Sequence, residues 1–146
     1  MNKYNADSVH KRVDYVQYTY KYERSCFDGL AFPIAVYDRD GIIAGANKIF
    51  REISGITEDD IRLGKVNFFD CLNDKNAVFI EAAHNAFSGG EKVYQNISPA
   101  LHTNGDIADY QITLFPNAIF FPMTYDRDGV KFAGVLLDEN KVDDTG

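Results

Sequence analysis

At 146 residues the chain has the length of one domain, and its 45% hydrophobic and 25% charged residues are ordinary globular usage. A net charge of −7 and a pI near 4.8 argue against a nucleic-acid or anionic-membrane surface, since both need a basic face. No run approaches the length of a membrane span, and the polar start at Met1–Ser8 does not read as a signal peptide, so a cytoplasmic location is expected.

The predicted elements begin with a helix over Ser8–Ser25. Asp7 and Ser8 offer an N-cap, and Val9, Val13, Val16 and Tyr20 recur at 4-3-4 spacing on one face. That stripe needs a partner, either the chain's own domain or a second copy across a dimer seam, and the residues leave both open. Tyr15, Tyr18 and Tyr22 decorate neighbouring faces.

Ile34–Tyr37 and Ile42–Ala46 read as two strands around an Asp-Gly turn. Ile49, Phe50 and Ile53 then keep helical spacing until Gly55. Thr57 with Glu58, Asp59 and Asp60 caps a short helix that Gly64 closes. Asn76–Phe87 is the clearest internal helix: Val78, Phe79, Ala82, Ala83, Ala86 and Phe87 form one broad apolar face. From Lys92 the pattern is β, over Val93–Leu101, Ala108–Phe115, Ile119–Tyr125 and Val130–Leu137. Pro116 is compatible with one long bulged strand or with two strands. The turn Asp38-Arg39-Asp40-Gly41 recurs as Asp126-Arg127-Asp128-Gly129. Neither copy has the further carboxylates of a calcium loop, so both read as hairpin turns.

No phosphate loop, nucleophile elbow, zinc-protease helix or kinase catalytic set is present, and no enzymatic activity is expected. His10, His84 and His102 make no pair with metal-ligand spacing, and His84 projects away from the apolar face of its helix; no metal site is expected. Cys26 and Cys71 have no metal-like spacing and are expected to be reduced, buried thiols. Asn96-Ile97-Ser98 matches a glycosylation sequon by chance.

The order of strand, Asp-x-Asp-Gly turn, strand, Asn47, short helices, longer helix and β meander resembles the PAS family. The likeness is carried by Ile34–Ile43, Asn47, Phe50, Ile53-Ser54-Gly55, Gly64-Lys65, Asp128-Gly129 and Gly134–Asp138, although Glu139-Asn140 departs from the family's closing motif. It implies an α+β fold, an antiparallel sheet of about five strands with helices on one face, and an N-terminal helical extension. The expected organisation is a helix over 1–26, a PAS domain over 27–140 and a tail or linker over 141–146.

Within the family the likeness is to the photoactive yellow protein branch, through Asp28–Phe32 and Gly64-Lys65 with Asn67-Phe68-Phe69. That branch's chromophore positions fall on Ala46, Phe50 and Lys75, which cannot supply its thiolate or hydrogen-bond donors. Cys71 lies too late for the flavin-adduct position, and no histidine suits an axial haem ligand. No obligatory cofactor is therefore expected, with haem and flavin disfavoured.

The resemblance implies a sensory input domain that binds a small ligand, forms a homodimer and relays to an output domain: a histidine kinase, a cyclic-dinucleotide enzyme or a transcription regulator. Its pocket would be lined by Phe50, Ile53, Phe68, Phe69, Phe79, Ala83, Tyr94, Tyr110 and Ile112, unless those residues simply fill a core. The competing functions are a ligand-free dimerisation module and a haem or chromophore sensor. Direct nucleic-acid binding and membrane attachment are not expected.

Overall fold

The computed structural model describes residues 6–71, 77–89, 92–95 and 117–138. In chain order these form α1 (Ala6–Tyr22), α2 (Arg24–Asp28), β1 (Ile34–Asp38), β2 (Ile43–Ala46), α3 (Lys48–Ser54), α4 (Glu58–Arg62), a 3-10 turn at Phe68–Cys71, α5 (Ala77–Asn85) with a 3-10 extension at Ala86–Ser88, β3 (Lys92–Gln95), β4 (Asn117–Asp126) and β5 (Gly129–Asp138). The strands make one antiparallel sheet of order β2-β1-β5-β4-β3. This is the α+β architecture expected from the sequence. The expected strand over Ala108–Phe115, the alternative at Pro116, and Tyr110 and Ile112 lie outside the described residues.

Local chemistry explains the boundaries. Asn47 caps α3 by accepting from Phe50 N, and Gly55 ends that helix in the left-handed region. Thr57 and Asp60 form a reciprocal capping box on α4, and the backbone hydrogen bond from Thr57 holds the Asp60 carboxyl below its usual range. At the β1–β2 turn, Asp38 Oδ1 accepts from Asp40 N and Ile42 N, both at 2.9 Å. Gly41 turns the corner at φ 89° where a Cβ would lie 2.5 Å from the Phe69 ring.

The sheet is apolar on both faces because its strands are largely continuous apolar runs whose successive side chains point to opposite sides. Ala35, Tyr37, Ala118, Phe120, Ala133, Val135 and Leu137 point to one side, where they meet Phe50, Ile53, Phe68, Ala82, Ala83, Ala86 and Phe87. Ile34, Val36, Ile119, Phe121, Met123 and Leu136 point to the other side and are covered by Val13, Val16 and Tyr20 of α1 with Phe27 of α2. Helices thus occupy both faces, with α1 as a lid on the outer one. Among the described residues, no helix is long and apolar enough to cross a membrane.

Cys26 corrects one expectation. It is exposed, not buried, because Phe27 takes the inward position on the short helix α2. Its thiol lies 3.4 Å from Glu23 Oε1, an interaction that raises its pKa.

Candidate ligand-binding interior

A packed apolar interior lies between the inner sheet face and the helices α3 and α5. β1 supplies Tyr37, α3 supplies Phe50 and Ile53, the 3-10 turn supplies Phe68 and Phe69, and α5 with its extension supplies Ala83 and Phe87. Of the residues expected to line a pocket, Phe50, Ile53, Phe68 and Ala83 are buried together here, and Phe69 is partly buried against the same cluster. Phe79 lies on α5 and Tyr94 on β3; the placement of their side chains lies outside the description.

Tyr37 is the central residue of this interior and is absent from the expected lining. It is fully buried, its ring lies 5.0 Å from Phe68 in a stacked pair, and Phe87 and Phe69 meet it edge-on at 5.6 and 5.9 Å. Its hydroxyl donates to Ala83 O at 2.8 Å, one of the last-turn carbonyls that an α-helix leaves to outside donors. Burial pushes the phenol's pKa far up, so it stays a neutral donor. Period-two alternation from Ala35 carried the signal for Tyr37, hidden inside what reads as a continuous apolar run over Ile34–Tyr37.

Asn47 is fully buried at the start of α3. Its Oδ1 accepts from Ile34 N at 3.0 Å and its Nδ2 donates to Phe32 O at 2.7 Å, fastening the loop before β1 to the start of α3. Arg51 adds hydrogen bonds of 2.7 Å to Asp28 Oδ1 and to Ala46 O. His84 is exposed, with its ring against Phe69 at 4.3 Å.

The residues weighed for a dimer seam are placed differently from that reading. Val13, Val16 and Tyr20 are buried against the chain's own sheet, so the stripe's partner is intramolecular; the side chain of Val9 is outside the description. Two polar contacts fix α1 there. Gln17 Nε2 donates to Pro122 O at 2.7 Å, and Arg12 meets the Asp138 carboxylate at 2.7 Å.

The two Asp-Arg-Asp-Gly turns end up side by side because β1 pairs with β5. Arg39 of the first donates to Val130 O just beyond the second, at 3.1 Å, and lies over the Phe87 ring. Asp38, Asp40 and Asp128 line an open cleft there with Arg39 and Lys131. Among the described residues, no group of three or more His, Cys, Asp or Glu side chains is arranged to hold a metal ion.

No family model matches the sequence, and no curated protein matches it in sequence. Solved structures are similar in shape. A domain of a sensory box sensor histidine kinase/response regulator from Geobacter sulfurreducens superposes with a TM-score of 0.53 at 11% identity, over 83% of this chain and 94% of that one. The PAS domain of an HTR-like protein from Haloarcula marismortui gives 0.52 at 15% identity, over 88% and 97%. The VqmA dimer of Vibrio cholerae, described with reference to LuxR-type receptors, gives 0.52 at 16% identity, over 84% of this chain and 52% of that one. The chain therefore has the PAS fold, with a helical lid on the outer face of its sheet.

Proposed function

We propose that this chain is a non-catalytic sensory input domain. A small ligand or cofactor held between α3, α5 and the inner sheet face shifts the sheet, and α1 carries the shift through a homodimer to an output domain. A histidine kinase, a cyclic-dinucleotide enzyme or a transcription regulator would suit that output, and all of this would take place in the cytoplasm. Residues 27–140 would form the sensing unit and the first 26 the relay helix.

The observation that carries the reading is the single-layer coupling of the two faces. Ala35 and Tyr37 line the interior, whereas Ile34 and Val36, their immediate neighbours on the same strand, lie under α1. A displacement of β1 by a ligand would therefore act directly on the helix, provided the ligand binds the two arrangements unequally. The similar structures, a sensor kinase domain and a receptor dimer among them, support this placement.

Native mass spectrometry of freshly purified protein, with an absorption spectrum, tests it. A retained small molecule, or a metabolite that raises the melting temperature and alters α1 protection in hydrogen exchange, is the expected result. If no compound does either, the sensory reading fails.

A ligand-free dimerisation module is the second reading, favoured by Tyr37. Its ring and hydroxyl occupy the middle of the interior as a satisfied core side chain would. The same mass spectrum, showing bare polypeptide, would favour it.

A further inference from the structure

With its inner stripe buried, α1 still presents a second stripe. Tyr15, Tyr18 and Tyr22 are 50%, 52% and 63% exposed, the most open large aromatic side chains among the described residues. They sit two residues out of phase with Val13, Val16 and Tyr20, a rotation of about 200° at 3.6 residues per turn, and so face directly away from the sheet. With Lys11 before them they keep 4-3-4 spacing, that of a heptad seam, and Asp14 and Lys21 flank the seam on one side.

We infer that this outer stripe is the surface through which a second copy of the chain binds, with the two α1 helices antiparallel. The charges choose the direction. Antiparallel, Tyr15 packs on the second copy's Tyr18, Lys11 lies over the second copy's Tyr22, and Asp14 meets the second copy's Lys21; the two-fold axis repeats each contact. Parallel pairing sets Lys11 against its own equivalent, a like-charge layer, and leaves Asp14 and Lys21 apart. Lys21 already lies 5.2 Å over its own Tyr22 ring, and the Tyr18 and Tyr22 rings are 5.2 Å apart, so the C-terminal half of the stripe is one aromatic and cationic surface.

The area sets the strength. Half of about 200 Å² for each of three tyrosines is on the order of 300 Å² per copy. Stable interfaces bury about 800 Å² per partner, so this contact is a reversible, concentration-dependent dimer. Such a contact suits a relay helix that must rearrange.

The inference rests on the proposed homodimeric relay. Sedimentation equilibrium of the full chain, from micromolar to millimolar at low salt, tests both. Asp14→Lys and Lys21→Glu alone should each weaken the dimer about tenfold, since two symmetric ion pairs become repulsive. The double variant Asp14→Lys/Lys21→Glu should recover to within about threefold of the parent, because the pairs are re-formed with signs exchanged. A chain monomeric throughout overturns both this seam and the homodimeric relay. A dimer insensitive to either single change, or a double variant no better than the singles, overturns the antiparallel seam and leaves the homodimeric relay standing.

Discussion

Arg12, on the first helix, and Asp138, the last residue of the final strand, form an ion pair of 2.7 Å in which the carboxylate side chain is only 4% exposed. The pair clasps the lid to the sheet at the end of β5. Arg12→Ala removes the cation from a buried carboxylate and should cost about 3 kcal/mol, whereas Asp138→Asn, which leaves no buried anion, should cost less. Urea unfolding followed by circular dichroism measures both; equal costs would refute this account of the clasp.

Tyr37→Phe should lower stability by about 1–2 kcal/mol at neutral pH, since Ala83 O loses its donor while the ring packing stays. The raised phenol pKa adds a pH arm. An unfolded tyrosine ionises near 10, well below the folded one, so the stability it contributes is complete below pH 10 and is lost as pH rises beyond it. The parent should therefore lose more stability than Tyr37→Phe between pH 9 and 11 in thermal melts.

Gly41→Ala should destabilise by about 2–4 kcal/mol, combining a left-handed backbone with a Cβ driven into Phe69 and Asn67. A melting temperature unchanged by this substitution would contradict the packing of the turn against the 3-10 segment.

Cys26 is open to reagents, but its hydrogen bond to Glu23 raises its pKa, so less thiolate is present at any given pH. Glu23→Gln should speed its reaction with a disulfide reagent near pH 8, because removing the carboxylate removes the cause that raises the thiol's pKa. The ordering reverses if Glu23 instead activates the thiol.

Much of this fold is legible in the residues because it is local. The Asp38–Gly41 turn, the Asn47 and Thr57 caps, the glycine stops and the helical spacing of Ala82, Ala83 and Ala86 each depend on neighbours within one or two turns of chain. Phe50, Ile53, Phe68 and Ala83, four of the residues that the family resemblance implied for a lining, are buried in one cluster. Tyr37 escaped because periodicity within a short apolar run does not say which face holds the helices. Arg12 and Asp138 are separated by nearly the whole chain, and nothing in local pattern links them.

By itself the sequence determined most of the described elements, their order and their apolar faces, because caps, turns and periodicity are properties of adjacent residues; the break between α1 and α2 was not among them. Only the tertiary structure decided which side of the sheet each face would meet. The stripe of Val13, Val16 and Tyr20 could have been buried on another copy or on its own sheet, and hydrophobicity alone does not distinguish the two. It lies on its own sheet because the outer face is as apolar as the inner one, and uncovered it would expose Ile34, Val36, Ile119, Phe121 and Leu136 to water.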